Sequence, residues 1–241
     1  MMFRRILPVI FLLAATSCAS RPLATTTTKP ADRYAAPPFL TPHAIDTLTL
    51  LPPPPSPTSA EHLQEIQLIL KLQRDRTPAQ IAQVRIDNDL SVFNFANILG
   101  PGFTPERCPK TARFFDIAEI DEGFFARVGK THYKRPRPTA EPGVVPVMPQ
   151  GGFSYPSGHS TRATFFSELL AYLFPEKRDA LIRRGQEIGF GREIAGVHYP
   201  SDVLAGRILG HALAHAMLTS PSGRAALDQL RPELQKALAT P

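Results

Sequence analysis

From residue 59 onward apolar positions recur every three or four residues, and runs that alternate one by one are scarce, a pattern that predicts helices rather than strands. Ser59 is placed to cap a helix over 59–72, and Thr77 followed by Pro78 has the form of a capped start to the next. Across 104–128 the helical face carries Phe114, Ile117, Ala118, Phe124, Phe125 and Val128. Across 157–173 it carries Phe165, Phe166, Leu169, Leu170 and Leu173, and Pro175 ends the run. Helices over 176–194 and 200–218 follow, then two short terminal segments broken at Pro221 and Pro232. Glycine and proline interrupt the pattern at 136–153 and 196–200. The expectation is an all-α fold, a compact helical bundle over 59–241 whose loops carry the chemistry.

Ahead of the bundle the pattern changes twice. Residues 19–58 are rich in proline and threonine, with Thr25 to Thr28 and Pro52 to Pro55 in uninterrupted runs. Proline removes a backbone donor and restricts the residue before it, so this stretch reads as a tether and then an extended arm lying on the domain. Residues 1–18 have the layout of an export signal: Arg4 and Arg5, an apolar stretch over 6–15, then small residues to Cys18. The apolar stretch is too short to span a bilayer. Ala15-Thr16-Ser17-Cys18 resembles a bacterial lipobox, which would make Cys18 a lipid-bearing first residue and anchor the chain to a membrane; ordinary cleavage nearby is the alternative. Either outcome places the protein in the periplasm or on the periplasmic face of a membrane. With Cys18 modified or removed, Cys108 has no intrachain partner and reads as a buried bystander.

The chain has 241 residues, 43% of them hydrophobic, enough for one domain with a substantial core. Its formal charge of +6 arises from 27 basic residues spread among 21 acidic ones, with no arginine-rich run or interleaved aromatic stripe. That distribution argues against a nucleic-acid surface and suits small anions.

Three segments concentrate chemistry. In the first, Lys130 and Arg137 flank a six-residue spacer and Pro138 follows; a point charge and a planar fork of donors suit the oxygens of phosphate, although basic residues near a helix end also offset its dipole. In the second, Pro156-Ser157-Gly158-His159 precedes an apolar helix, where first-turn amides have no intrahelical partner and glycine permits close approach of an anion. In the third, Arg192 is followed by His198 and, four residues on, Asp202, whose carboxylate is spaced to take the proton of one imidazole nitrogen and leave the other free to attack.

Together the segments match Lys-x6-Arg-Pro, Pro-Ser-Gly-His and Ser-Arg-x5-His-x3-Asp, in that order. In these motifs, and in the run Leu50-Leu51-Pro52-Pro53-Pro54-Pro55, the chain resembles the type 2 phosphatidic acid phosphatase and vanadium haloperoxidase superfamily, and within it the class A bacterial non-specific acid phosphatases. The resemblance implies a bundle of the acid phosphatase and vanadium-dependent haloperoxidase type. It implies hydrolysis of phosphate monoesters such as nucleotides, sugar phosphates and aryl phosphates, with no metal or other cofactor. Lys130, Arg137 and Arg192 would bind phosphate oxygens, with Ser157 and the backbone of Gly158. His198 would attack phosphorus, Asp202 would orient it, and His159 would protonate the leaving alcohol. The expected pH profile is bell-shaped with an acidic optimum.

One departure from the motif is Gly191, where the family pattern has serine; a lost hydrogen bond there would weaken anion binding by about 1 kcal/mol. Another is Thr139, where many class members have an aromatic residue. The nearest rival is a vanadate-dependent haloperoxidase, recognised by peroxide-dependent halide oxidation without phosphate release. A non-catalytic phosphate-binding lipoprotein is a rival of another class, recognised by failure to trap phosphate on His198. His211 and His215 lie one helical turn apart but lack a convincing third ligand, and His43, His62 and His132 are assigned no role. Self-association into a homo-oligomer is left open.

Overall fold

The structure, a computed structural model, describes residues 36–239; the signal, Cys18 and the first part of the tether lie outside the described residues. Ten α-helices and three short 3-10 turns make up the regular structure, and no strand occurs among the described residues. The arm is not wholly extended. A single turn, α1 (Thr47–Leu50), forms where Asp46 accepts the amides of Leu48 and Thr49, a local cap that the surrounding prolines leave room for. The arm is fastened to the bundle by buried Asp121, which accepts the amide of Leu40 at 2.8 Å, and by the Tyr155 hydroxyl, which donates to the carbonyl of Pro52. Burial raises the Asp121 carboxyl to about 6.

Ser59 caps α2 (Ala60–Asp75), and Thr77 with Gln80 forms a capping box on α3 (Pro78–Ile86). A 3-10 turn over Val92–Phe95 and α4 (Ala96–Leu99) are too short for a periodic signal and were not expected. Next comes α5 (Pro109–Tyr133), which starts later and ends later than the periodicity predicts. Cys108 precedes Pro109, and proline disfavours helical geometry in the residue before it, so the start moves to Pro109. The helix then runs on to Lys134, which takes the left-handed conformation. Cys108 is buried, and burial raises its thiol pKa.

Beyond a long loop come α6 (Gly158–Leu173), a 3-10 turn over Pro175–Lys177, α7 (Arg178–Ile194) and α8 (Pro200–Thr219). The terminal helices are α9 (Pro221–Asp228) and α10 (Arg231–Leu238). The central helix is α6, packed between α7 and α8, with Phe165, Phe166, Leu169 and Leu170 buried in the core. Close approach of α8 requires glycine at Gly206, where a Cβ would lie 2.6 Å from the Ser157 carbonyl, and at Gly210, where it would strike the Thr161 carbonyl. This contact holds the N-termini of α6 and α8 side by side. No helix among the described residues is long and apolar enough to cross a membrane.

Candidate active site

The three motif segments meet at one end of the bundle. Lys130 is in the last turn of α5, Arg137 in the extended stretch beyond Lys134, His159 in the first turn of α6, and Arg192 in the last turn of α7. Gly196, at φ +70, turns the chain between α7 and α8 so that His198 comes just ahead of Pro200. Lys130, Arg137, Gly158, His159 and His198 line a cavity of about 680 Å3. Ser157, Arg192 and Asp202 are buried and are not among its lining residues.

His198 has a defined tautomer. Arg137 Nη1 lies 2.9 Å from its Nε2, and a guanidinium only donates, so Nε2 presents a lone pair and the proton sits on Nδ1. Nδ1 is 3.4 Å from Asp202 Oδ2, a long contact. Asp202 is held independently of it: Oδ2 accepts the Tyr199 amide at 2.8 Å and the Ser154 hydroxyl, and Oδ1 accepts Arg135 Nη1 at 2.7 Å. Burial foremost, with Arg137 and Lys130 assisting against Asp202, lowers the His198 pKa to about 3, so the ring is neutral through the acidic and neutral range. His198 bonding and Arg135 keep Asp202 ionised against the effect of its burial.

His159 Nε2 is 2.9 Å from the main-chain oxygen of Asn88, to which it can only donate. Burial and the charge of Arg192 push its pKa well below the ordinary value, so without an anion His159 is neutral as well. Lys130 Nζ donates to the carbonyls of Phe153 (2.9 Å) and Pro156 (2.7 Å), and its pKa falls to about 8 through burial and Arg137. Arg137 also grips the carbonyls of Gly151 and Val197, each at 2.8 Å. The cations thus stay clustered, each held by carbonyl dipoles rather than by carboxylates.

Arg192 is different again. It is 1% exposed, its one contact to a side chain is Nη1 to Asn88 Oδ1 at 3.4 Å, and Nε and Nη2 have no partner among the described residues. Burial and Arg137 lower its pKa to about 10. Buried polar groups are nearly always paired, so the two unpartnered nitrogens of Arg192 are donors with chemistry to spare, suited to an anion. Ser157 caps α6 by accepting the Ser160 amide, which leaves the first-turn amides of Gly158 and His159 unused by the helix itself.

Gly191 departs from expectation. A Cβ at that position would meet Val84 of α3 at 3.4 Å, and Gly191 lines a separate groove between α3 and α7. The serine-to-glycine difference therefore removes no side chain from the anion cavity, and the expected loss of affinity has no structural basis. Sequence reasoning also missed Asn88, Ser154, Arg135, Glu65 and His62. Arg135 lies inside the Lys-x6-Arg spacer and was open to notice; Asn88, Glu65 and His62 come from outside every motif. His211 and His215 are exposed, and no group of three or more potential metal ligands exists among the described residues.

This arrangement, a helical bundle presenting two neutral histidines and three cations at one end, has the fold of a PAP2 phosphatase. The crystal structure of a transmembrane PAP2-type phosphatidylglycerolphosphate phosphatase from Bacillus subtilis superposes with a TM-score of 0.51 over 66% of this chain and 84% of that one, at 23% identity. The PAP2 superfamily model matches residues 119–225. The non-specific acid phosphatase of Salmonella typhimurium is 30% identical over 210 residues, covering 82% of this chain and 84% of that protein. That of Providencia stuartii is 31% identical over 205 residues, covering 80% and 82%. The chain belongs to the class A non-specific acid phosphatases of the PAP2 superfamily. It is a phosphatase acting on phosphate esters.

Proposed function

We propose that the protein is an exported acid phosphatase that cleaves small phosphate monoesters, among them nucleotides, sugar phosphates and aryl phosphates, through a phosphohistidine on His198. The observation that carries this reading is the His198 tautomer: a lone pair on Nε2 at the cavity, with the Nδ1 proton directed to Asp202. An arriving phosphoryl group takes over the Arg137 donation, which frees Nε2 to attack phosphorus in line as the ester P–O bond breaks. His159 gives a proton to the leaving oxygen. Water then attacks the phosphohistidine, His159 takes a proton from that water, the P–N bond breaks with its electron pair returning to Nε2, and phosphate departs.

His159 is neutral without an anion, so its acid role requires a phosphate dianion to raise its pKa, which bound negative charge does. Lys130, Arg137, Arg192 and the α6 amides would stabilise charge on the equatorial oxygens, which supports catalysis independent of metal. Export rests on Arg4, Arg5 and the apolar stretch over 6–15, and lipid anchoring on Cys18. Enzyme incubated with radiolabelled ester and quenched in alkaline denaturant should carry base-stable, acid-labile phosphate, and His198→Ala should abolish both label and turnover. Activity should survive a chelator. Wild-type turnover in His198→Ala would overturn the mechanism, and peroxide-dependent halide oxidation without phosphate release would return the choice to a haloperoxidase.

A further inference from the structure

Behind Asp202 lies a polar cluster that none of the three motifs predicts. The Arg135 guanidinium, 6% exposed and 4.0 Å over the Tyr199 ring, divides its donors between two carboxylates. Nη1 reaches Asp202 Oδ1 and Ser201 Oγ, each at 2.7 Å; Nη2 reaches Glu65 Oε2 at 2.7 Å and His62 Nδ1 at 3.2 Å. Glu65, on α2, uses its other oxygen to accept the Ser201 amide at 2.7 Å. His62 Nδ1 can only accept from Arg135, so its Nε2 carries the proton toward Glu141 Oε1, 3.3 Å away, which also accepts the Tyr199 hydroxyl. Glu65, Arg135 and His62 do not line the cavity.

We propose that Glu65 and Arg135 are a positioning pair for the nucleophile: Arg135 orients Asp202, and Glu65 offsets the charge of Arg135 so that Asp202 keeps a net negative charge facing His198. This rests on the reading of His198 as nucleophile. An Arg–Asp pair alone is neutral and offers the imidazole a dipole. The row Asp202–Arg135–Glu65 carries one net negative charge. When Nε2 takes the phosphoryl group while Nδ1 keeps its proton, the ring becomes cationic, and that net charge stabilises it. His198 is neutral before attack, so the interaction strengthens along the reaction and acts on kcat rather than on KM.

Glu65→Gln keeps the shape and removes the charge. With p-nitrophenyl phosphate, kcat should fall about tenfold, KM should change by less than about twofold, and trapped phosphohistidine should form more slowly in a single turnover, while Glu65→Asp stays near wild type. A folded Glu65→Gln with wild-type kcat and only a lower melting temperature would overturn the proposal and mark Glu65 as a bolt between α2 and α8. If Glu65→Gln does not fold, Glu65→Asp decides: retained charge predicts near-wild-type kcat, and a tenfold loss there overturns a charge role. His198→Ala in the same assay separates the two ideas. Wild-type activity in it removes the nucleophile itself, whereas an inactive His198→Ala beside an unaffected Glu65→Gln removes only the charge pair.

Discussion

Arg135 and Arg192 are both buried at the same end of the bundle, and the protein treats them oppositely. Arg135 meets two carboxylates, a hydroxyl, an imidazole nitrogen and an aromatic face. Arg192 meets one amide oxygen at 3.4 Å and keeps two nitrogens without partners among the described residues. Burying a charge is tolerated when it is paired and is expensive otherwise, so the protein itself offsets the cost of the first arginine and leaves that of the second largely uncompensated. The same division separates the two layers of the site. The layer behind Asp202 pairs its cation with carboxylates, while on the cavity wall Lys130 and Arg137 are held by carbonyls and Arg162 is paired with the carboxylates Glu119 and Glu122.

Breaking each arginine should therefore move opposite quantities. Arg135→Met leaves Asp202 and Glu65 buried without their cation and should destabilise the fold by about 3–5 kcal/mol in denaturant unfolding. Arg192→Met should lower kcat/KM by about 10²–10³-fold, as loss of one transition-state donor does, yet raise the melting temperature of the anion-free protein. A fall in that temperature would mean Arg192 is a structural residue after all. Inorganic phosphate should stabilise the wild type by about 2.7 kcal/mol at one hundred times its Kd, and this shift should shrink sharply in Arg192→Met and persist in a folded Arg135→Lys.

Acid should sharpen the contrast further. The folded pKa of His198, about 3, lies below the ordinary 6.5, so the unfolded chain binds more protons between those values and stability falls as pH drops through that window. Asp121, raised to about 6 from 3.8, acts in the opposite sense and gains stability on acidification across its window. Unfolding followed from pH 7 to 4 should lose slope in His198→Gln and become steeper in Asp121→Asn. The smallest effect is expected at Phe153, 40% exposed and, among the described residues, the one phenylalanine on the cavity wall, with its carbonyl held by Lys130. Phe153→Ala should reduce kcat/KM for aryl and nucleoside esters by about three- to tenfold and leave a short alkyl phosphate nearly unchanged, the scale of one aromatic contact.

Much of the molecule was legible from periodicity because helices report themselves locally. Ser59, Thr77 and Ser157 cap where a side-chain oxygen can reach an amide three residues on, and Pro175 and Pro200 stop or start helices by restricting their own backbone. Errors came where two local signals compete. The periodic stretch is read from residue 104, yet Pro109 imposes its own restriction on Cys108 and sets the true start. The turn at 47–50 was hidden inside a proline-rich stretch because one aspartate is enough to cap it.

The chain by itself determined that the fold is helical, that basic residues and two histidines recur in three spaced motifs, and that those motifs lie at helix ends. These are short-range facts, set by backbone geometry over a few residues. Only the tertiary structure decided which charges are neutralised by carboxylates and which are not. Gly191 proved to face Val84, Arg192 to keep two nitrogens without partners among the described residues, and Glu65, seventy residues ahead of Arg135, to share its guanidinium with Asp202. Burial and charge pairing depend on elements distant in sequence being packed together, and no spacing rule within one motif contains that information.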